Sequence, residues 1–260
     1  YNLGLSTALE YGRKAGLIYN SESEKSIATL ALGEFNNDPY DRDGGNTTIL
    51  ASAYGAFGNN GVKTDPILYT KVIDSTGKVI LDKTADTTKL FSEETAYIMY
   101  DLLKGPVTGF DAGGAKFGDI PVAGKTGTTD NSDSFWFSGL TPYYSASVWI
   151  GYDMPTKLNG YSSSAASLWG DVMGVVHEGL SYKEIEKPDT FVTANVCRDS
   201  GKLATDLCAQ DQRGSRVRTE YFIEGTQPTT ACDVHVTAKV NIKNNKLATA
   251  STAVKNIVTK

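Results

Sequence analysis

The chain has 260 residues, of which 40% are hydrophobic and 21% charged, and a net charge of −5. That balance is ordinary for a soluble globular protein with one large core and room for an appendage. The acidic excess argues against a nucleic-acid surface. No apolar run approaches the ~20 residues that cross a bilayer. The opening "YNLGLSTALEYGRK" lacks the apolar stretch of a signal peptide. Either the protein is cytosolic or its targeting segment lies outside these residues.

Taken in order, "STALEYGRKAGL" has helical spacing, with Leu9, Arg13 and Leu17 on adjacent turns and Gly16 near its end. "TTILASAYGAFGNNG" predicts a second helix, capped by Thr47 or Thr48 and stopped by Gly58-Asn59-Asn60-Gly61. "DPILYTKVIDSTGKVILDK" alternates around a Ser-Thr-Gly turn and predicts a β-hairpin. "SEETAYIMYDLLKGPV" opens on Ser92, carries Glu93 and Glu94 in its first turn, and runs at helical period to Gly105-Pro106. "SFWFSGLTP" and "SASVWIGYD" predict two strands joined by a turn at Thr141-Pro142. "AASLWGDVMGVVHEGL" predicts the last helix of the main domain. After Pro188 the chain turns to short β-like pieces holding all three cysteines. The expected organisation is a main domain over residues 1–187, a small β-rich appendage over 188–237, and a tail or linker over 238–260. The last stretch, "KVNIKNNKLATASTAVKNIVTK", has five lysines and no acid.

"VAGKTGTTDNSD", just before the two aromatic strands, is the most informative stretch. Lys125-Thr126-Gly127-Thr128 begins an antiparallel meander, so Thr126 and Thr128 point one way and Lys125 and Gly127 the other. A glycine within a strand often marks the close approach of a ligand or a second backbone. Two hydroxyls, an ammonium and an edge-accessible backbone suit an extended substrate bearing a carboxylate. An ordinary strand with a Lys-Thr-Gly turn at one end would look the same, because so short a motif is common.

Several phrases, in order, resemble the C-terminal part of the transpeptidase domain of class A penicillin-binding proteins. They are "LALGEF", "LASAYGAFGNNGVKTDP", "SEETAYIMYDLL" and "AGKTGTTDNSDSFWFSGLTPYYSASVWIGYD". "VCRDSGKLATDLC" and "EYFIEGTQPTTACDVH" resemble the cysteine-bearing segment that follows this domain in many Gram-positive members. The resemblance implies an α+β fold, a five-stranded antiparallel sheet with helices on both faces. It implies a serine-type D,D-transpeptidase that cross-links peptidoglycan stem peptides ending in D-Ala-D-Ala and is a target of β-lactams. Such a protein stands on the extracytoplasmic face of a bacterial membrane, held there by an N-terminal segment, and needs no cofactor. By residue-level match, Lys125 and Thr128 would be catalytic, and Thr126, Gly127 and Thr128 would bind substrate.

The family also uses a Ser-x-x-Lys and a Ser-x-Asn motif. No Ser-x-Asn occurs here, and the one Ser-x-x-Lys is Ser75-Thr76-Gly77-Lys78 at the expected hairpin tip. A serine there would be solvated and far from a desolvated base. The nucleophile is therefore expected in sequence preceding Tyr1, and these residues alone are expected to be inactive. A sheet lacking the helix that bears the nucleophile would expose an apolar face. The rival readings are a catalytically dead module that binds cell-wall peptides and a serine β-lactamase relative. The second fits poorly, because Lys125 lies mid-chain with a cysteine-bearing appendage behind it.

Other candidates are weaker. Trp136 could line a groove, with core packing the simpler account. His177 reads as structural, "GGAKFG" as a flexible connection, and Asp130 and Asp133 as a solvated loop. Cys197 and Cys208 bracket a turn-rich loop suited to a disulfide, while Cys232 with His235 would complete a Cys3His set. The spacing leaves disulfide, free thiol and zinc open, and no metal ligand is assigned.

Overall fold

The computed structural model describes residues 3–20, 25–33, 35, 43–109 and 111–259, and the chain divides into two units, Tyr1–Pro188 and Asp189–Lys260. In the first unit, helix α1 (Leu5–Ala15) stops where Gly16 turns left-handed at φ 105°. The amides of Gly16 and Leu17 then return to the carbonyls of Arg13 and Gly12. A short helix α2 (Ile27–Leu32), capped by Ser26, follows. Helix α3 (Thr47–Gly58) is capped by Asn46, whose Oδ1 accepts from the amide of Ile49 at 2.9 Å. This corrects the expected cap at Thr47 or Thr48. Those residues already have their place in the first turn, whereas Asn46 is extended and its carboxamide reaches the orphan amide.

Strand β1 (Val62–Thr64) pairs with β4 (Thr87–Lys89), and between them β2 (Lys71–Ile73) and β3 (Val79–Asp82) form the expected hairpin. Asp74 closes its tip by accepting from the amides of Thr76 and Lys78 and the Thr76 hydroxyl at 2.7–3.0 Å. Ser75 is exposed in this turn, as the sequence implied.

Helix α4 (Glu93–Thr108) starts at Ser92, whose Oγ accepts from the Thr95 amide. It runs through Pro106, past its expected end. Proline removes one donor, but the Gly105 and Pro106 carbonyls still receive amides from Gly109 and Ala112, so the last turn persists.

Three antiparallel strands form the central sheet in the order β5 (Ala123–Thr128), β6 (Ser134–Leu140), β7 (Ser145–Gly151). The architecture is α+β with helices on both sheet faces. Where five strands were expected, three are present in this sheet among the described residues. Helix α5 (Ser163–Val176) covers one face, packing Trp169, Ala165, Ala166 and Met173 onto Phe135 and Phe137. On the other face Tyr100 and Leu103 of α4, with Tyr54 and Phe57 of α3, meet Ala123 and Leu140. The two sides of β5 are thereby fixed by burial, because a one-residue slip would exchange them.

In the second unit, β8 (Phe191–Cys197) and β9 (Val217–Ile223) pair antiparallel around the short helix α6 (Asp206–Ala209). The lysine-rich stretch read as tail or linker is not featureless. It carries β10 (Lys239–Asn241), β11 (Lys246–Leu247) and β12 (Ile257–Thr259) in a small antiparallel sheet. Val240 is buried there, and turn residues 242–245 reverse the chain, a pattern that lysine counting overrides.

Candidate active site

Strand β5 is the edge of the central sheet and carries Lys125-Thr126-Gly127-Thr128 along it. Its register sets Lys125 opposite Ser138 and Gly127 opposite Trp136 on one face, with Thr126 opposite Phe137 and Thr128 opposite Phe135 on the other. Lys125 is exposed, and its Nζ donates to the Thr126 carbonyl at 2.9 Å and the Thr126 hydroxyl at 3.3 Å. These contacts are local, so the ammonium is held above the strand without being tied to the core. Thr126 and Gly127 are half-buried and Thr128 is exposed. A Cβ on Gly127 would lie 3.2 Å from Cβ of Trp136, so a side chain there would crowd its cross-strand partner.

Trp136 departs from the core position favoured by the sequence. It stands half-buried outside both core clusters, on the face of Lys125 and Gly127, with its ring centroid 6.3 Å from that of Trp149. Phe135 and Phe137 take the core places instead. Trp149 was not singled out from sequence, and it is 39% exposed. The signal for it was cross-strand alternation, since it faces Trp136 directly in β7. The pair makes an apolar border beside the motif.

The connection after β5 is built, not loose. The Thr129 hydroxyl donates to Asp133 Oδ1 at 2.6 Å and receives the amides of Asp133 and Ser134 at 3.1 Å. Asp133 is therefore a turn-forming residue that locks β5 to β6.

Residues 2–174 match the penicillin-binding protein transpeptidase domain, and residues 187–237 match the C-terminal domain of penicillin-binding protein 1A. The chain belongs to the penicillin-binding protein transpeptidase family. It is 52% identical over 241 residues to penicillin-binding protein 1A of Clostridium perfringens, covering 92% of this chain and 29% of that protein. To penicillin-binding protein 1A of Clostridium botulinum it is 49% identical over 252 residues, covering 96% of this chain and 30% of that one. The chain thus spans about 30% of the length of these relatives. Its fold is similar to the crystal structure of penicillin-binding protein 1A from Haemophilus influenzae, with a TM-score of 0.65, 18% identity, and coverage of 88% of this chain and 38% of that chain. The PonA1 protein of Mycobacterium tuberculosis in complex with penicillin V gives a TM-score of 0.51 at 25% identity, over 68% of this chain and 51% of that one.

Apart from this strand motif, His177 has a structural role. It is buried at the end of α5, where Nδ1 lies 2.7 Å from the Met173 carbonyl and Nε2 lies 2.8 Å from the Thr141 hydroxyl. Those partners fit the tautomer in which Nδ1–H donates and Nε2 accepts. Thr141 in turn receives the amides of Tyr143 and Tyr144, so the imidazole clamps the β6–β7 turn to α5. His177→Ala is expected to lower unfolding stability by about 2 kcal/mol, as buried polar partners lose their mates. Chemical denaturation would measure the loss.

Residues able to hold a metal lie in the second unit. Cys197, Cys208 and Cys232 are buried free thiols, and their sulfurs and a ring nitrogen of His235 all lie within 4.8 Å of one another. No helix among the described residues is long and apolar enough to cross a membrane.

Proposed function

We propose that this chain supplies the substrate-binding strand of a serine-type peptidoglycan D,D-transpeptidase. One observation carries the reading: Lys-Thr-Gly-Thr lies on the unpaired edge of the central sheet of a penicillin-binding protein transpeptidase domain. An unpaired strand edge accepts an extended peptide as an added strand. The stem peptide, or the β-lactam that imitates its D-Ala-D-Ala end, lies along β5 with Gly127 leaving room for its acyl chain. The hydroxyls of Thr126 and Thr128 bind the terminal carboxylate, and the Thr128 amide donates to the developing oxyanion.

A serine nucleophile attacks the penultimate carbonyl, the terminal D-alanine leaves, and the acyl group passes to an amine of a neighbouring stem peptide. Lys125 carries positive charge to this site and helps deliver a proton to the leaving amine. The serine of Ser75-Thr76-Gly77-Lys78 is in an exposed turn and does not serve. The nucleophile and the Ser-x-Asn motif come from outside residues 1–260, and the working enzyme stands on the extracytoplasmic face of the cell membrane.

Intact-mass measurement after incubation with a fluorescent penicillin tests this reading. The full-length protein is expected to gain one covalent label, and residues 1–260 expressed alone are expected to gain none. Thr128→Val in the full-length protein should slow labelling about tenfold to a hundredfold, the worth of about 1.4–2.7 kcal/mol, as for a hydrogen bond to a carboxylate. A full-length protein that takes no label would leave a catalytically dead cell-wall binding module as the reading.

A further inference from the structure

The second unit has almost no hydrophobic interior. Among its described residues only Val196, Cys197, Cys208, Cys232 and Val240 are buried, and its core cluster consists of the three cysteines with Ala204 and Val217 against them. A unit with so small a core needs a staple, and no disulfide joins these thiols. Their chain separations hide the convergence. Cys197 ends β8, Cys208 sits in α6, and Cys232 and His235 come from the segment after β9.

We propose that this unit is folded around a structural zinc ion held by Sγ of Cys197, Cys208 and Cys232 and by Nδ1 of His235. Nδ1 lies 3.4 Å from both Cys197 Sγ and Cys232 Sγ. A tetrahedral centre with Zn–S near 2.3 Å and Zn–N near 2.0–2.1 Å needs sulfur–nitrogen edges of about 3.6 Å. Two of the three sulfur–nitrogen edges are thus close to this spacing, and all four atoms lie within 4.8 Å of one another.

Cys208 Sγ accepts from the amide of Thr205 at 3.3 Å. The outer nitrogen of the imidazole is also fixed. Nε2 lies 2.9 Å from Asp211 Oδ2 and 3.3 Å from Asp199 Oδ2, so it donates outward and turns the Nδ1 lone pair to the sulfurs. Asp199 and Asp211 are themselves held by Arg213 and Arg216 at 2.7–2.8 Å. Those guanidiniums supply the positive charge on the outer side, so the two carboxylates orient His235 and do not bind a cation themselves. Three thiolates and one imidazole select zinc over hard cations, and four protein ligands leave no open position for catalysis.

The test uses the full-length protein, purified without a metal-binding tag. One zinc ion per chain is expected by elemental mass spectrometry. Exchange for cobalt(II) should give the visible bands of a tetrahedral site and a thiolate charge-transfer band. Asp211→Asn is expected to weaken zinc about tenfold to a hundredfold in a chelator competition. Cys232→Ser should lose the metal, and His235→Cys, which keeps four ligands if the serine variant does not fold, should retain zinc and alter the cobalt spectrum. A metal-free protein whose mass shows a disulfide among these cysteines overturns the proposal. So does zinc retained undiminished by Cys232→Ser, or a cobalt spectrum that His235→Cys leaves unchanged.

Discussion

Replacing Lys125 with alanine in the full-length protein is expected to slow acylation by penicillin about a thousandfold while moving the unfolding free energy by less than about 0.5 kcal/mol. The two halves of that expectation have separate causes. Lys125 is exposed and, among the described residues, its ammonium bonds only to the neighbouring Thr126, so the folded state loses little when it is removed. In the proposed reaction the same ammonium offsets developing negative charge and helps protonate the leaving amine, effects in the range of 10²–10⁴ in rate. Lys125→Arg separates them, because it keeps the charge but not the compact, rotatable donor, and should recover part of the rate. Time-resolved labelling with a fluorescent penicillin, alongside denaturation of the same variants, gives both numbers. Labelling of Lys125→Ala at the parental rate would remove the residue from the catalytic role proposed for it.

The β5–β6–β7 meander was legible because its turn chemistry and aromatic, β-branched runs agree with each other over some thirty residues. The parity within β5 was equally legible, since strand alternation alone separates Lys125 and Gly127 from the two threonines. Which face is core was not. Phe135, Trp136 and Phe137 are consecutive and all aromatic, so the choice is made by α5, which brings Trp169 to one side only. Local signals failed where neighbours competed. Asn46, Thr47 and Thr48 are all competent caps, and only the backbone angle at Asn46 decides among them. Pro106 was read as a stop, yet the carbonyls around it find donors further along the chain. The cysteine cluster was open in the sequence because the pairing of β8 with β9 and the return of the chain near residue 232 create it. No local period encodes that approach.

Trp169→Ala is expected to cost about 4 kcal/mol, a large share of the roughly 5–15 kcal/mol that holds a typical domain folded. Trp169 is 1% exposed and meets Phe137 edge-on at 5.3 Å. Its Nε1 donates to the Ala146 carbonyl at 3.0 Å, tying α5 to β7. Truncation leaves a cavity against β6 and strips that carbonyl of its donor at once. Trp169→Phe keeps most of the ring contact and loses only the bond, so it should cost about 1–2 kcal/mol. The consequence reaches the motif through register: Phe137 is the cross-strand partner of Thr126, so the residue that Trp169 clamps also seats β5, the strand proposed to bind substrate. In the full-length protein, penicillin labelling of Trp169→Ala should therefore fall with the folded fraction and also slow within it, whereas His177→Ala should show only the first effect. Equal labelling rates for the folded fractions of both variants would mean that β5 keeps its position without the α5 clamp.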